Sequence, residues 1–282
     1  MSPPRSASPA PWGAGLSFEE ARRWAELSRP AYAAVTDVLL DGADLAPGLR
    51  VLDEACGQGT PALDEARRVA PGGTVVGFDL SEPAVTLARQ FAATERVPNV
   101  SFRTGDATAL PFPERSFDRV TCRFGSMFFP DIDRALAEAR RVLVPDGKLA
   151  WLAWGPLDEN PFFVATGRVA QRRAGLPALP PEAEQPFRFG GGGVLRAAAE
   201  RSGFAGVEES RHRVPLTWHA TPERVAAYFW EYPPPPFKSV ISGLSAADRA
   251  AATAESVEQL RASASNGVVR LDASVVLLCG RA

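Results

Sequence analysis

The chain has 282 residues, 45% of them hydrophobic and 23% charged, with a formal net charge of -2. That is an ordinary globular composition, large enough for a full hydrophobic core in one large or two small domains. The near balance of 31 basic and 33 acidic residues argues against a broad nucleic-acid-binding surface. All basic residues except Lys148 and Lys238 are arginine, which we read first as codon bias.

Residues 1–16 are rich in Pro, Ser and Ala with no apolar segment, so we expect a flexible tail and no secretory signal. Two helical patterns fill 17–41: one starts after the candidate N-cap Ser17, and the next, at Pro30, runs through Tyr32, Val35 and Leu39. From residue 49 strands and helices alternate. Leu49 to Asp53 is a short apolar strand ending in a carboxylate, followed by a glycine-bearing loop and a helix over 61–70. Thr74 to Asp79 is a second strand, and Ser81 caps a helix whose apolar face is Ala84, Leu87, Ala88 and Phe91. Val100 to Arg103 and Phe117 to Cys122 are further strands; Asp131 opens a helix, Pro145-Asp146-Gly147 turns the chain, and Lys148 to Trp154 is a fifth strand.

Strands separated by helices at this spacing predict a parallel sheet, with the ligand beyond the carboxyl ends of the strands. Asp53, Asp79, Asp106 and Cys122-Arg123 all fall there. Beyond residue 155 the pattern loosens. Helices are expected over 158–174, 194–202, 222–232 and 245–262, interrupted by Leu176 to Pro181, Gly190 to Gly193 and Pro233 to Pro236. Ala205 to Trp218 reads as one or two strands and Val268 to Cys279 as the last, which can add an antiparallel strand at the edge. No apolar run approaches the ~18 residues of a membrane helix. Cys56, Cys122 and Cys279 match no zinc template, so no metal site is expected, and their sparseness suits a reducing, cytoplasmic setting.

The glycine loop alone is weak evidence. Gly57-x-Gly59-x-x-Ala62 fits a loose dinucleotide pattern, and Asp79, 22 residues after Gly57, is placed to bind ribose hydroxyls in that reading too. A third acid, Asp106, after the third strand can accept from an adenine amino group and argues against a nicotinamide cofactor.

Together, VLDEACGQG (51–59), GFDLS (77–81), GDATALPFPERSFDRV (105–120) and RVLVPDGKLAWLAW (141–154) resemble a class I S-adenosylmethionine-dependent methyltransferase. Within that superfamily they are similar to the branch holding the ubiquinone and menaquinone C-methyltransferases and many small-molecule enzymes. The resemblance is specific over roughly 49–154 and general beyond. It implies an α/β, Rossmann-like doubly wound sheet of seven strands, mainly parallel with an antiparallel last strand, plus a helical cap insertion. It also implies a division into a tail (1–16), an N-terminal helical lid (17–48), a cofactor-binding core (49–154), a cap with remaining core elements (155–267) and a terminal strand (268–282).

Carried over residue by residue, the loop Ala55, Gly57 and Gly59 faces the methionine part of S-adenosylmethionine. Asp79 binds the ribose with Leu80 against the adenine, Asp106 bonds the adenine amino group beside Ala107, and Arg123 lies near the methionine end. The family usually has Gly where Ala55 stands, which puts the loop's shape in question. Asp53 reads as a structural carboxylate bonding loop amides. The implied reaction is in-line methyl transfer to carbon, oxygen or nitrogen of a small acceptor, releasing S-adenosylhomocysteine. Any base would come from His219 or Glu231; His212, between two arginines, reads as a solvated strand residue. Aromatic residues in three regions are expected around the acceptor: Trp12 to Tyr32, Phe124 to Phe129, and Trp218 to Phe237. They suit an aromatic or lipophilic small molecule. A nicotinamide-dependent oxidoreductase, or a fold that holds S-adenosylmethionine while catalysing isomerisation or cyclisation, are the alternatives. Oligomeric state is not legible.

Overall fold

The computed structural model describes residues 17–177, 185–233 and 235–282. The expected tail (1–16), part of the Pro-rich stretch (178–181) and Pro234 lie outside them.

Two helices lead in, α1 (Phe18–Ala31) and α2 (Ala33–Gly42). Ser17 and Glu20 form a reciprocal capping box at the start of α1, a device worth about 1 kcal/mol. The alternating section follows: β1 (Arg50–Glu54), α3 (Ala62–Val69), β2 (Thr74–Asp79), α4 (Glu82–Thr94), β3 (Val100–Thr104), β4 (Phe117–Arg123), α5 (Ile132–Val142) and β5 (Leu143–Trp154). Ser81 and Asp131 cap α4 and α5 as their positions suggest, each accepting from a backbone N–H three residues on.

After β5 come the short helix α6 (Pro161–Phe163), a π-turn over Val164–Arg168, α7 (Val169–Arg173), α8 (Val194–Arg201), β6 (Ala205–Trp218), α9 (Pro222–Glu231), α10 (Pro235–Ser242), α11 (Ala246–Arg261), the two-residue β7 (Ala264–Ser265) and β8 (Val268–Arg281).

The sheet order is β3-β2-β1-β4-β5-β8-β6, with β7 paired to β8. The first five strands are mutually parallel, β8 runs antiparallel to β5, and β6 runs antiparallel to β8. This is the expected mainly parallel sheet with an antiparallel last strand, extended by the small β7 to eight strands among the described residues, but that last strand is not at the edge: β8 lies between β5 and β6, because β6 pairs with it along nearly its whole length. Three local readings differ. Ala205 to Trp218 is one continuous strand. The turn at Pro145-Asp146-Gly147 is a bulge inside β5, where the register jumps from Phe117↔Leu143 to Arg119↔Lys148 and Asp146 takes a φ of +61°. The proline run that stops α9 also starts α10, because proline's fixed φ suits a first helical turn.

α2, α3 and α4 pack on one face of the sheet and α5 and α8 on the other, as in a doubly wound fold. The core accordingly has two parts. Val51, Leu63, Val75, Leu87 and Phe102 form one under α3 and α4. A larger one spans β4, β5 and β8 and continues into the aromatic residues of α6, α9 and α10. The helices α7, α9, α10 and α11 pack on one another and carry that second part beyond the sheet.

Candidate cofactor and acceptor site

The site starts where β1 runs out. Within five residues the backbone visits the left-handed region three times, at Ala55 (φ +54°), Gly57 (+53°) and Gly59 (+93°). The chain thereby folds tightly from strand into α3. A Cβ at Gly59 would come within 3.2 Å of Phe102 and 3.3 Å of Ala88, so that glycine lets the loop press on β3 and α4. At Gly57 a Cβ would meet nothing within 4 Å: here the loop faces open space, which a ligand can approach.

Ala55 holds a conformation costing a non-glycine residue about 1–2 kcal/mol. Its methyl group points towards the end of β4. A Cβ built on Gly125 would lie 2.2 Å from it and 2.9 Å from Cys122 Sγ. The departure from glycine at 55 is thus accommodated by glycine at 125. The sequence carried the signal in Phe124-Gly125, but only the fold brings the two loops together.

Two acids line the same end of the sheet. Asp79 closes β2, and its carboxylate accepts from Gly57 N–H through Oδ2 and from Ser81 N–H through Oδ1, both at 2.8 Å. Burial raises its pKa from the ordinary carboxylate value, and the two N–H donors oppose the shift. Each oxygen keeps a further lone-pair direction. Leu80 beside it is 74% exposed, an unusual position for a large apolar side chain. Asp106 follows β3, next to β2 in the sheet; it is exposed and accepts from Thr108 N–H at 2.8 Å, while Ala107 is buried. An exposed leucine between two strand-end carboxylates, over an open glycine loop, fits an adenosine: a diol and an amino group as donors, an apolar base between them.

Beneath the loop lies a buried polar cluster. Asp53 and Thr121 are paired across β1 and β4, so they and Arg123 share the face covered by α3. Asp53 Oδ2 accepts from Ala62 N–H at 3.1 Å, the loop-bonding part expected of it. Arg123 donates to Thr36 Oγ1 (2.6 Å) and to Thr60 O (3.0 Å), tying β4 to α2 and to the glycine loop. Glu65 of α3 completes the cluster and was not singled out from sequence. It shares the helix face of Ala62, Ala66 and Val69, a carboxylate in an apolar stripe, and that pattern was the available signal.

The aromatic residues of the three expected regions meet beyond β5. Phe124 stacks on Trp154 with ring centroids 3.9 Å apart. Tyr32 stands edge-on to Trp154 and Trp218, and Trp218 packs on Phe162 and Tyr228. Trp24 of α1 reaches Tyr228 from the other side, at 5.7 Å. The Gln58 amide donates to the Tyr232 hydroxyl, so the glycine loop is bonded directly to the end of α9, a contact between residues 174 apart that sequence reading missed. Trp12 lies outside the described residues.

The two candidate bases are placed differently. His219 follows β6 and Glu231 ends α9, and both side chains are exposed. His212 sits on β6 with Nε2 2.8 Å from Ser210 Oγ, in an open groove of about 730 Å³ that also holds Asp41, Lys148, Cys279 and Arg281. That groove lies towards the opposite ends of the parallel strands. Among the described residues, no group of His, Cys, Asp and Glu is arranged to hold a metal ion, and no helix is long and apolar enough to cross a membrane.

Comparison with known proteins decides the family. A nocamycin O-methyltransferase of Saccharothrix syringae is 32% identical over 256 residues, which is 86% of this chain and 89% of that protein. The chain belongs to the S-adenosylmethionine-dependent methyltransferases. Residues 51–147 match the family model described as a methyltransferase domain. A demethylmenaquinone methyltransferase of Thermus thermophilus is 44% identical over 113 residues, 40% of this chain and half of that protein. Among solved structures, the YcgJ protein of Bacillus subtilis aligns over 87% of this chain and 97% of its own, with a TM-score of 0.53 and 21% identity. The Haemonchus contortus phosphoethanolamine N-methyltransferase 2, solved with S-adenosyl-L-methionine, aligns over 95% of this chain and 60% of its own, with a TM-score of 0.52 and 19% identity. These two establish the shared fold. The methyltransferase is thus a class I enzyme that uses S-adenosylmethionine, and the nicotinamide reading of its glycine loop is set aside.

Proposed function

We propose that this methyltransferase moves a methyl group to an oxygen of a planar or lipophilic small molecule held against the aromatic cluster of Tyr32, Trp154 and Trp218. The observation that carries this reading is the junction of that cluster with the glycine loop. The Gln58–Tyr232 bond and the Arg123 guanidinium, bonded to Thr60 O, both sit where loop and cluster meet. Oxygen is favoured because the O-methyltransferase relative aligns along 86% of this chain, whereas the quinone C-methyltransferase relative aligns along 40%.

When bound, S-adenosylmethionine supplies an electrophilic methyl group on a sulfur leaving group. The chain's own residues bind, orient and exclude water. Asp79 holds the ribose hydroxyls, Leu80 and Ala107 flank the adenine, and Asp106 accepts from its amino group. Ala55, Gly57 and Gly59 let the backbone approach the methionine part, with Arg123 behind the loop. Residues 17–48 serve as a lid and the helices within 155–267 as a cap, and both contribute rings to the aromatic cluster. Fixing the acceptor in line and keeping water out supplies the catalysis. Because His219 and Glu231 are exposed, the acceptor oxygen is one that ionises readily, or it loses its proton to solvent as it enters.

The test is incubation with S-adenosylmethionine carrying a deuterated methyl group and a panel of phenolic, enolic, carboxylic, amine and carbon-nucleophile acceptors, read by mass spectrometry. Label on oxygen of an apolar acceptor is expected. Label confined to nitrogen or carbon, or to small polar acceptors, would overturn the assignment. Acceptor turnover without S-adenosylhomocysteine would favour isomerisation or cyclisation instead.

A further inference from the structure

The polar cluster under the glycine loop holds more charge than its hydrogen bonds account for. Asp53 and Glu65 bring two carboxyl groups together out of contact with water, beside the partly buried guanidinium of Arg123. Asp53 Oδ1, both oxygens of Glu65 and Arg123 Nε have no hydrogen-bond partner among the described residues. The Thr121 hydroxyl lies beside Glu65 but donates to Leu52 O at 3.3 Å. A buried ion costs several kcal/mol unless paired, so with a single cation present the two acids retain one proton between them.

Resting on the cofactor placement proposed above, we infer that Glu65, together with Asp53, is a buried counter-charge that selects the sulfonium cofactor over its thioether product and gives up the shared proton when the sulfonium binds. S-adenosylmethionine and S-adenosylhomocysteine differ by one methyl group and one positive charge. The first adds a cation above the cluster, so the cluster is balanced with both acids ionised and a proton passes to solvent. The second adds none, and the proton stays.

The surrounding groups permit this. Burial pushes Glu65 up to about 7, against the neighbouring Thr121 hydroxyl and Arg123, which hold it down, so its proton is exchangeable near neutrality. Asp53 is raised well above the usual range by burial and by Glu65. Asp64 on the same helix and Asp79 on β2 add negative charge from two further sides. The Cys56 thiol on the loop is pushed up by burial and by these acids, so it stays neutral. Tyr32 and Tyr228 lie near Arg123 in the aromatic cluster, and burial keeps both phenols protonated. Arg123 is the cation of the cluster.

The experiment is calorimetric titration of the intact chain with each ligand in two buffers of different ionisation enthalpy, from pH 6 to pH 8. A unit charge about 10 Å away at an effective dielectric near 20 is worth roughly tenfold in affinity. Such a coupling releases about half a proton more with S-adenosylmethionine than with S-adenosylhomocysteine at pH 6.5, and raises the affinity ratio about fivefold from pH 6 to pH 8. Glu65→Gln is expected to abolish both effects, with S-adenosylhomocysteine binding kept. Equal proton counts for the two ligands, or an affinity ratio that is flat with pH, would overturn the inference on the unmodified chain alone, whether or not the variant folds. So would an excess release that persists in Glu65→Gln. If neither ligand binds, the cofactor placement itself fails and this inference with it; binding of both with equal proton counts leaves the methyltransferase reading standing.

Discussion

Gly125 and Ala55 should be energetically coupled, and a double-mutant cycle measures by how much. Gly125→Ala places a methyl group 2.2 Å from Ala55 Cβ and 2.9 Å from Cys122 Sγ, distances that real Cβ atoms do not reach. The φ at Gly125 is -93°, which alanine adopts freely, so the cost is steric and not conformational. Neither neighbour is the free end of a flexible side chain: one methyl sits on a strained loop and the sulfur is buried on β4. Overpacking of this kind costs about 1–3 kcal/mol. For a chain of this size that lowers the melting temperature by about 2 °C per kcal/mol. Ala55→Gly alone should be nearly neutral, since relief of about 1–2 kcal/mol of left-handed strain is offset by about 0.5–1 kcal/mol of added backbone entropy. In the background of Ala55→Gly, Gly125→Ala should lose most of its penalty, leaving only the Cys122 contact. Urea unfolding of the four proteins reads the cycle. A coupling energy of about 1 kcal/mol or more is expected; effects that add within about 0.3–0.5 kcal/mol would show that the two loops do not press on each other as described.

Asp79→Ala removes both the loop-bonding acceptor and the ribose-binding group, and should weaken S-adenosylmethionine binding about 30- to 100-fold, against about fivefold for Asp106→Ala, where one hydrogen bond is lost. Calorimetry ranks the two, and a larger loss at Asp106 would reverse their proposed roles. Tyr232→Phe breaks the bond to Gln58 without removing the ring. It should cost about 1 kcal/mol or less in stability and show chiefly as a raised KM for the acceptor; an unchanged KM would detach this bond from acceptor binding. Stability should also fall with rising pH between about 4.5 and 7. Unfolded Glu65 has lost its proton by then, whereas the folded group keeps it up to about 7, so folding takes up a proton and alkali opposes it until that group ionises. Glu65→Gln should flatten this part of the urea-midpoint profile. A slope of opposite sign in the unmodified chain would contradict the burial of the acid.

The alternation of strands and helices was plain in the sequence because the buried strands are short apolar runs and several helices start at a side-chain cap, as at Ser17, Ser81 and Asp131. The parallel sheet and its strand-end acids follow from that alternation, which is why Asp79 and Asp106 are legible in the sequence; the order of the strands is not. What stayed hidden depends on contacts between distant segments. Glu65 looks like a surface residue of α3 until Asp53 and Arg123 are brought beneath it. Gly125 looks like a loop glycine until Ala55 is set against it. Gln58 and Tyr232 are 174 residues apart. The second start signal in the proline run before α10 was masked by the first, which ends α9.

The packing of α2 has a consequence for how the chain is made. Its Gly42 carbonyl lies 3.5 Å from Cys279 Sγ, and Leu277 fills the space above Gly42. The helix therefore rests on β8 and β6, elements that leave the ribosome more than 160 residues later. β1 to β5, with α3, α4 and α5, find their partners within the first 154 residues. During synthesis the cofactor-binding half can assemble while α2, made before it, still lacks the support of β6 and β8. Wherever translation stalls before β8, α2 is left with its contacts to β4 and β5 alone, and part of its apolar face is uncovered beside a nearly finished sheet.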